Sequence, residues 1–304
     1  MLKHLKHTDI DKDRWDKTIE ISRNKVIYGK SWFLDTVSPG WEAVIDEDYS
    51  CIMPLPVKEK WGYRYIVQPV FTKQLGVFSA TNLSQSVIDD FMHYTNRLFK
   101  YIRLYLNRDM VLYDYGAYKT EMLNNHELSL KNTYEILRKN YKRRTSLNLN
   151  RAIKNGVVLK EINDINIFKE FAYKNINYFT PKKRKEIIAI LLKLILAGKD
   201  EIDIEIRGAY VNEDLISLGL FFIGSDRIYN MLNVSNSAGH KTQAMYFLTD
   251  QVIKDYAGKN ILLDFTGSNQ KGIAYFLESF GAKPFQYSYI EYKNVRTPYK
   301  WFIR

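Results

Sequence analysis

Three stretches carry residue types and spacings that could do chemistry. In "LLDFTGSNQKGIAYFLESFGAKPF" (262–285), an apolar run ends in Asp264, a Gly/Ser/Asn loop follows, and a helix-like segment closes on Phe280-Gly281. A carboxylate at a strand end can face a ligand or simply cap the next turn. In "SNSAGHKTQAMYFLTDQVI", a run of small residues leads straight from Val234 into a helical pattern. A helix N-terminus presents unpaired N–H groups and a partial positive charge, which suits a phosphate or pyrophosphate. Gly239 would let a ligand approach the backbone, and His240 and Lys241 would add charge. Ser, Asn and Gly are equally good helix caps, so both readings stand. The third stretch, "RKNYKRRTSLNLNRAIK" (138–154), holds seven basic residues and no acidic one. As a helix it gathers Arg143, Arg144, Arg151 and Lys154 within an arc of about 100°. That stripe reads either as a solvated face or as one aimed at phosphate or carboxylate groups.

Other chemistries are poorly served. The five histidines, His4, His7, His93, His126 and His240, are scattered, and the single Cys51 lies in an apolar run, so no metal site is expected. One cysteine forms no internal disulfide, and the N-terminus lacks an apolar signal region, which together predict a cytoplasmic chain. The longest apolar stretch, 187–196, is interrupted by Lys193 and falls well short of the roughly 20 residues a membrane span needs. A net charge of +11 favours anionic partners.

The elements that must position these residues form two passes of similar order. The first has a helix over "DKDRWDKTIEIS", two strands around the acidic turn Asp46-Glu47-Asp48, strands at "YRYIVQP" and "QLGVF", a helix capped by Ser84 and a strand at "YIRLYLN". The second starts near Asn125: a short strand "HELSL", a helix capped by Asn132 or Thr133, the basic helix ending at Gly156, and a strand "VVLKEI". Helices at 166–178 and 181–197 come next, followed by two strands around Asn212-Glu213 and a third at "DRIYNMLNVS". One helix from about His240 to Tyr256, a strand "NILLDF", a helix over 271–280 and a strand "FQYSYIEYK" complete the pass. This is an α+β order, not a βαβ repeat. It predicts two domains, 1–124 and 125–304.

Four segments carry a family resemblance: "YEILRKNYKRRTSLNLNRAIKNGVVLKE", "ISLGLFFIGSDRIYNMLNVSN", "AMYFLTDQVIKDYAGKNILLDFTGS" and "IAYFLESFGAKPFQYSYIEY". With the doubled element order they resemble the tandem acetyltransferase-like fold of the GNAT superfamily (acyl-CoA N-acyltransferases) in its FemXAB-like branch. The resemblance covers the second half well and the first half more loosely. It implies two GNAT-like domains in tandem, each a mixed, mainly antiparallel sheet flanked by helices. It also implies an acyltransferase that moves an acyl group from acyl-CoA, acetyl-CoA above all, to a small-molecule or peptide-like amine. The donor would lie where the fourth and fifth strands splay, on Asn233, Val234, Ser235, Asn236, Ser237, Gly239, His240 and Lys241. Here "NSAGHKTQA" has one glycine where the family's loop has two small positions. At Leu277 many relatives carry a Tyr acid, and Fem-type members a Lys.

Acyl transfer to an amine requires a neutral amine, a polarised carbonyl and a donor for the developing oxyanion. Under the resemblance, the strand N–H groups near Asn233 to Ser235 supply the donor and Asp264 the base. Tyr229 and Ser268 serve as acid or positioning groups, and Arg143 and Arg144 clamp a phosphate or carboxylate of a substrate. The alternatives are a Fem-type transferase drawing an amino acid from aminoacyl-tRNA onto a cell-wall precursor, and a binding protein that kept the fold without the chemistry. Leu277 supports the last of these.

Overall fold

The computed structural model describes residues 1–267 and 269–295, in two compact units. The first comprises Met1–Leu123 with residues 286–295, and the second is Asn124–Phe285. The sequence reading kept the whole stretch from 125 to 304 in the second domain, but the segment from Gln286 groups with the first unit.

In chain order the first unit contains β1 (Leu2–Leu5), α1 (Lys12–Ile21), α2 (Ser31–Val37), β2 (Glu42–Asp46), β3 (Cys51–Leu55), β4 (Val57–Lys60), β5 (Tyr63–Val67), β6 (Phe78–Ser79), α3 (Gln85–Leu98) and β7 (Tyr101–Tyr105). β8 (Tyr118–Ser129) carries the chain into the second unit. There it forms α4 (Tyr134–Lys139), α5 (Arg143–Lys154), β9 (Val158–Glu161), α6 (Ile165–Asn175), α7 (Pro181–Gly198), β10 (Asp203–Val211), β11 (Asp214–Ile223) and β12 (Arg227–Ser235). α8 (Ser237–Thr242), α9 (Ala244–Tyr256), β13 (Leu262–Asp264) and α10 (Lys271–Glu278) follow, and β14 (Lys283–Lys293) returns the chain to the first unit.

The first unit pairs its strands in the orders β1-β2-β3-β6 and β4-β5-β7-β14. Its core gathers fully buried rings, with Trp15 and Trp41 4.7 Å apart between centroids and Phe33, Phe78 and Phe91 also enclosed. Glu42 is the buried charge of this unit. It accepts from His4 (2.6 Å), Lys6 (2.9 Å) and Arg64. Burial pushes its carboxyl up, but the hydrogen bonds from Lys6, Arg64 and His4 outweigh that and hold it below the ordinary range.

The second unit orders its strands β8-β13-β12-β11-β10-β9. β12 runs antiparallel to β11 and parallel to β13, so the sheet is mixed. The turn between β10 and β11 has both central residues, Asn212 and Glu213, at positive φ (48° and 69°), as a tight two-residue hairpin requires. Leu263, Ile228 and Leu128 pack from the sheet against Leu248 and Val252 of α9 and Leu277 of α10. α7 begins with Pro181 and a Thr180 side-chain cap, and buries Ile187, Ile188, Leu191, Leu194 and Ile195 on one stripe. No helix among the described residues is long and apolar enough to cross a membrane.

Two elements depart from the sequence expectation. The expected short strand "HELSL" supplies, through Ser129, only the last four residues of the 12-residue strand β8. The expected single helix from His240 to Tyr256 is two helices, broken at Gln243, which sits in the left-handed region (φ 63°). Its N–H and side-chain amide both turn back to the His240 carbonyl, capping α8. Ala244, the next residue, can then start α9 fully buried.

Candidate active site

β12 and β13 stay paired for only three residues, Arg227↔Leu262, Ile228↔Leu263 and Tyr229↔Asp264. β13 ends there, while β12 continues for six more residues to Ser235. The parting is built by Thr266. Its N–H bonds the Asp264 carboxylate (2.7 Å) and its hydroxyl donates to the Asn230 carbonyl (2.8 Å), one residue past the last strand pair. Those bonds hold a β-branched residue at φ 55°, a conformation costing about 1–3 kcal/mol.

Beneath the fork lies a buried ion cluster. Asp264 is 1% exposed, and its oxygens accept from Asn125 Nδ2 (2.8 Å), the Thr266 N–H and Arg227 (3.0 Å). Arg227 also donates to Glu127. Burial pushes the Asp264 carboxyl up despite the opposing pull of Arg227 and Asn125. The Arg227 guanidinium is held charged by Asp264 and Glu127 against its own burial. The cluster joins three neighbouring strands: Asp264 faces Glu127, and Arg227 reaches both from two residues before Tyr229, the β12 partner of Asp264.

Past the fork, β12 exposes an edge to a cleft of about 570 Å³. Its walls come from β12 (Asn230 to Asn233 and Ser235), α9 (Met245, Tyr246) and α10 (Ile273, Phe276, Leu277), together with Phe265 and Thr266. The Asn236 N–H bonds Ile216 O on β11, so strand alternation turns the N–H groups of Ser235 and Asn233 to the opposite, cleft-side edge. The ladder with β11 skips Met231: Leu220 faces Leu232 and Phe221 faces Asn230. That bulge re-aims the strand at the mouth of the cleft. Asn230 is buried, lines the cleft, and its side-chain oxygen has no hydrogen-bond partner.

Of the residues singled out in the sequence, Asn233, Ser235, Gly239 and His240 line this cleft. Val234, Asn236, Ser237 and Lys241 are outside the lining. Asn236 caps α8 by accepting from the Gly239 N–H (2.9 Å), which occupies one of the groups an anion would use. Gly239 has a packing reason: a Cβ there would sit 2.3 Å from the Ile216 carbonyl oxygen and 2.4 Å from Ser217 Oγ. Asp264 and Tyr229 are buried and neither lines the cleft. β12 alternation puts Tyr229 on the face of Arg227, opposite Asn230. Ser268 lies outside the described residues. Arg143 and Arg144 are exposed on α5, away from the cleft lining. Leu277 is 3% exposed and belongs to the cleft wall and the core together.

The sequence reading missed Asn230, Gln243, Tyr246, Thr266 and Phe276. "YNMLN", with an asparagine interrupting an apolar central strand, was the signal available for Asn230. Among the described residues His240, exposed at the rim, is the one imidazole lining the cleft, and no carboxylate lines it.

No protein-family model matches the chain, and no curated protein does. Among solved structures, "FemX" superposes over 99% of this chain and 99% of its own, with a TM-score of 0.70 at 11% identity. The chain shares its fold with FemX and with a tandem GNAT protein. L-PGS from Bacillus licheniformis is similar over 96% of this chain and 95% of its own, with a TM-score of 0.56 at 11% identity. A tandem GNAT protein from the clavulanic acid biosynthesis pathway covers 96% and 98%, with a TM-score of 0.55 at 8% identity. The expected α+β architecture of mixed sheets flanked by helices is therefore present. Among the described residues no group of His, Cys, Asp or Glu could hold a metal ion.

Proposed function

We propose that the protein is an acyltransferase that moves an acyl or aminoacyl group onto an amine in the β12/β13 cleft. The observation that carries this is the unpaired edge of β12 beyond Tyr229, opening onto a cleft of about 570 Å³. A thioester or ester carbonyl laid along that edge meets one of its free N–H groups, that of Asn233 or of Ser235, which stabilises the oxyanion that forms on attack. Turned into the cleft from its buried position, the side-chain oxygen of Asn230 accepts an N–H of the incoming amine, leaving the amine lone pair directed at the carbonyl. His240 is the proton acceptor at the rim. Attack forms the C–N bond and breaks the C–S or C–O bond; the proton lost by the amine passes to His240 and on to the leaving group. Apolar walls of Leu232, Phe265 and Phe276 exclude water from the acyl group.

The donor is acyl-CoA, acetyl-CoA in the simplest case, and the acceptor a small or peptide-like amine in the cytoplasm. The full-length superposition on FemX favours a second reading, a Fem-type transferase that takes an amino acid from aminoacyl-tRNA to a cell-wall precursor. Thermal melting with free CoA, acetyl-CoA, longer acyl-CoAs and charged tRNA separates them. A ligand at about 100 times its Kd stabilises by about 2.7 kcal/mol. For a unit of this size that raises the melting point by about 5–10 °C. Ile273→Trp, at an exposed position of the cleft wall, should abolish the shift without lowering the melting point. A shift from tRNA alone selects the second reading. No shift from any donor overturns transfer and leaves a binding protein, consistent with Leu277 in place of an acid.

A further inference from the structure

α5 buries Thr145, Leu149 and Ala152 and turns its charged face outward. At about 100° per residue, Arg143, Lys154, Leu147, Arg151 and Arg144 follow one another in that order across an arc of about 100°. All five are exposed, and Leu147, at 58%, stands in the middle of four cations. Among the described residues none of those four cations forms an ion pair or a side-chain hydrogen bond. By contrast, Lys142 beside them is within 3.5 Å of Glu278, and Arg138 donates to Tyr134 (3.0 Å). No acidic residue occurs between Glu135 and Glu161. A face that served only solubility would interleave acids at helical spacing, because unrelieved like charges cost stability. Leu147 adds nothing to the core, and an apolar side chain ringed by cations is poorly placed in water.

We infer that α5 is a membrane-surface helix that docks the second unit on anionic phospholipid headgroups. Leu147 enters the acyl boundary, and the stems of Arg143, Arg151, Arg144 and Lys154 lie along it while their charged ends meet phosphates. Each cation near an anionic surface contributes about fivefold in partitioning. Nucleic acid fits less well: α5 exposes no aromatic ring for a base to stack on, and Leu147 would be pressed against phosphates. This surface is separate from the cleft and does not depend on the reaction proposed there.

Co-sedimentation of the full chain with vesicles of phosphatidylcholine alone, or mixed with phosphatidylglycerol, tests it. Binding is expected on the mixed vesicles only, with release by high salt. The Arg143→Gln/Arg151→Gln pair should lower partitioning about 25-fold, two factors of about five. Leu147→Ser should lower it about tenfold with an unchanged salt slope. All three positions are exposed, and melting points equal to the parent's establish that the variants fold. Parent-like binding by the double variant, equal binding to neutral vesicles, or salt-sensitive binding to RNA with none to either vesicle would overturn the assignment.

Discussion

Asp264 is the residue on which the structure and a purely chemical reading of the sequence diverge most, and replacing it separates them. A general base in the cleft would be dispensable for folding. A carboxylate at the root of the fork would not. Asp264→Ala removes the acceptor of three buried hydrogen bonds. It leaves Arg227, whose side chain is 10% exposed, with Glu127 as its remaining carboxylate partner here. Breaking a buried charge pair from one side costs about 3–5 kcal/mol. Orphaning the Asn125 amide and the Thr266 N–H costs about 1–3 kcal/mol each, overlapping with the first loss. A net figure of about 4 kcal/mol lowers the melting point of the second unit by about 8–16 °C. Asp264→Asn keeps the shape and one acceptor, losing chiefly the charge assistance to Arg227, about 2 kcal/mol and about 4–8 °C. Thermal and denaturant unfolding of the two variants beside the parent reads these losses directly. An alanine variant that melts with the parent while losing transfer activity would refute the structural role and restore Asp264 as a base.

Gly239→Ala should destabilise the second unit by about 1–3 kcal/mol, because its Cβ would overlap Ile216 O and Ser217 Oγ and lift α8 from β11. Denaturant midpoints check this, and the same variant should weaken any donor-induced stabilisation. In the first unit Glu42 is held below its ordinary value of 4.5 by His4, Lys6 and Arg64. A depressed folded-state pKa contributes stability that is complete above the unfolded value and lost as pH falls through the folded one. Glu42→Gln should therefore lower stability at neutral pH and flatten the acid limb below about pH 4.5, as followed by pH-dependent unfolding.

Much of the framework could be read from local rules. Thr180-Pro181 opening a helix, Gly156 closing one, and Asn212-Glu213 between two apolar runs are signals a few residues long, and each marks the element that forms. The strand before Ser235 and its small-residue exit locate the cleft edge. The chemistry of the fork was less legible because it depends on which face a strand turns inward and on partners far away in the chain. Asp264 meets Asn125, Glu127 and Arg227 only after three strands align. Tyr229 and Asn230 are neighbours in sequence and face opposite sides of the sheet. Gln243 and Thr266 occupy left-handed conformations that glycine or asparagine usually advertise, so neither the broken helix nor the parting of β13 carries a local mark. The loop at Asn236 looked like an anion cradle because cap residues and phosphate-binding residues are the same types.

The route of the chain sets an order of assembly. Residues 124–285 lie between two pieces of the first unit, so on the ribosome they are all made before β14 emerges. Until then β7 lacks the partner whose register runs from Tyr105↔Tyr289 to Tyr101↔Lys293, and Leu106 and Leu112 lack the Ser288 groups that receive their N–H bonds. The first half of the protein to be translated is therefore the last to be completed, and its nascent strand edge must be kept from strangers while the insert folds.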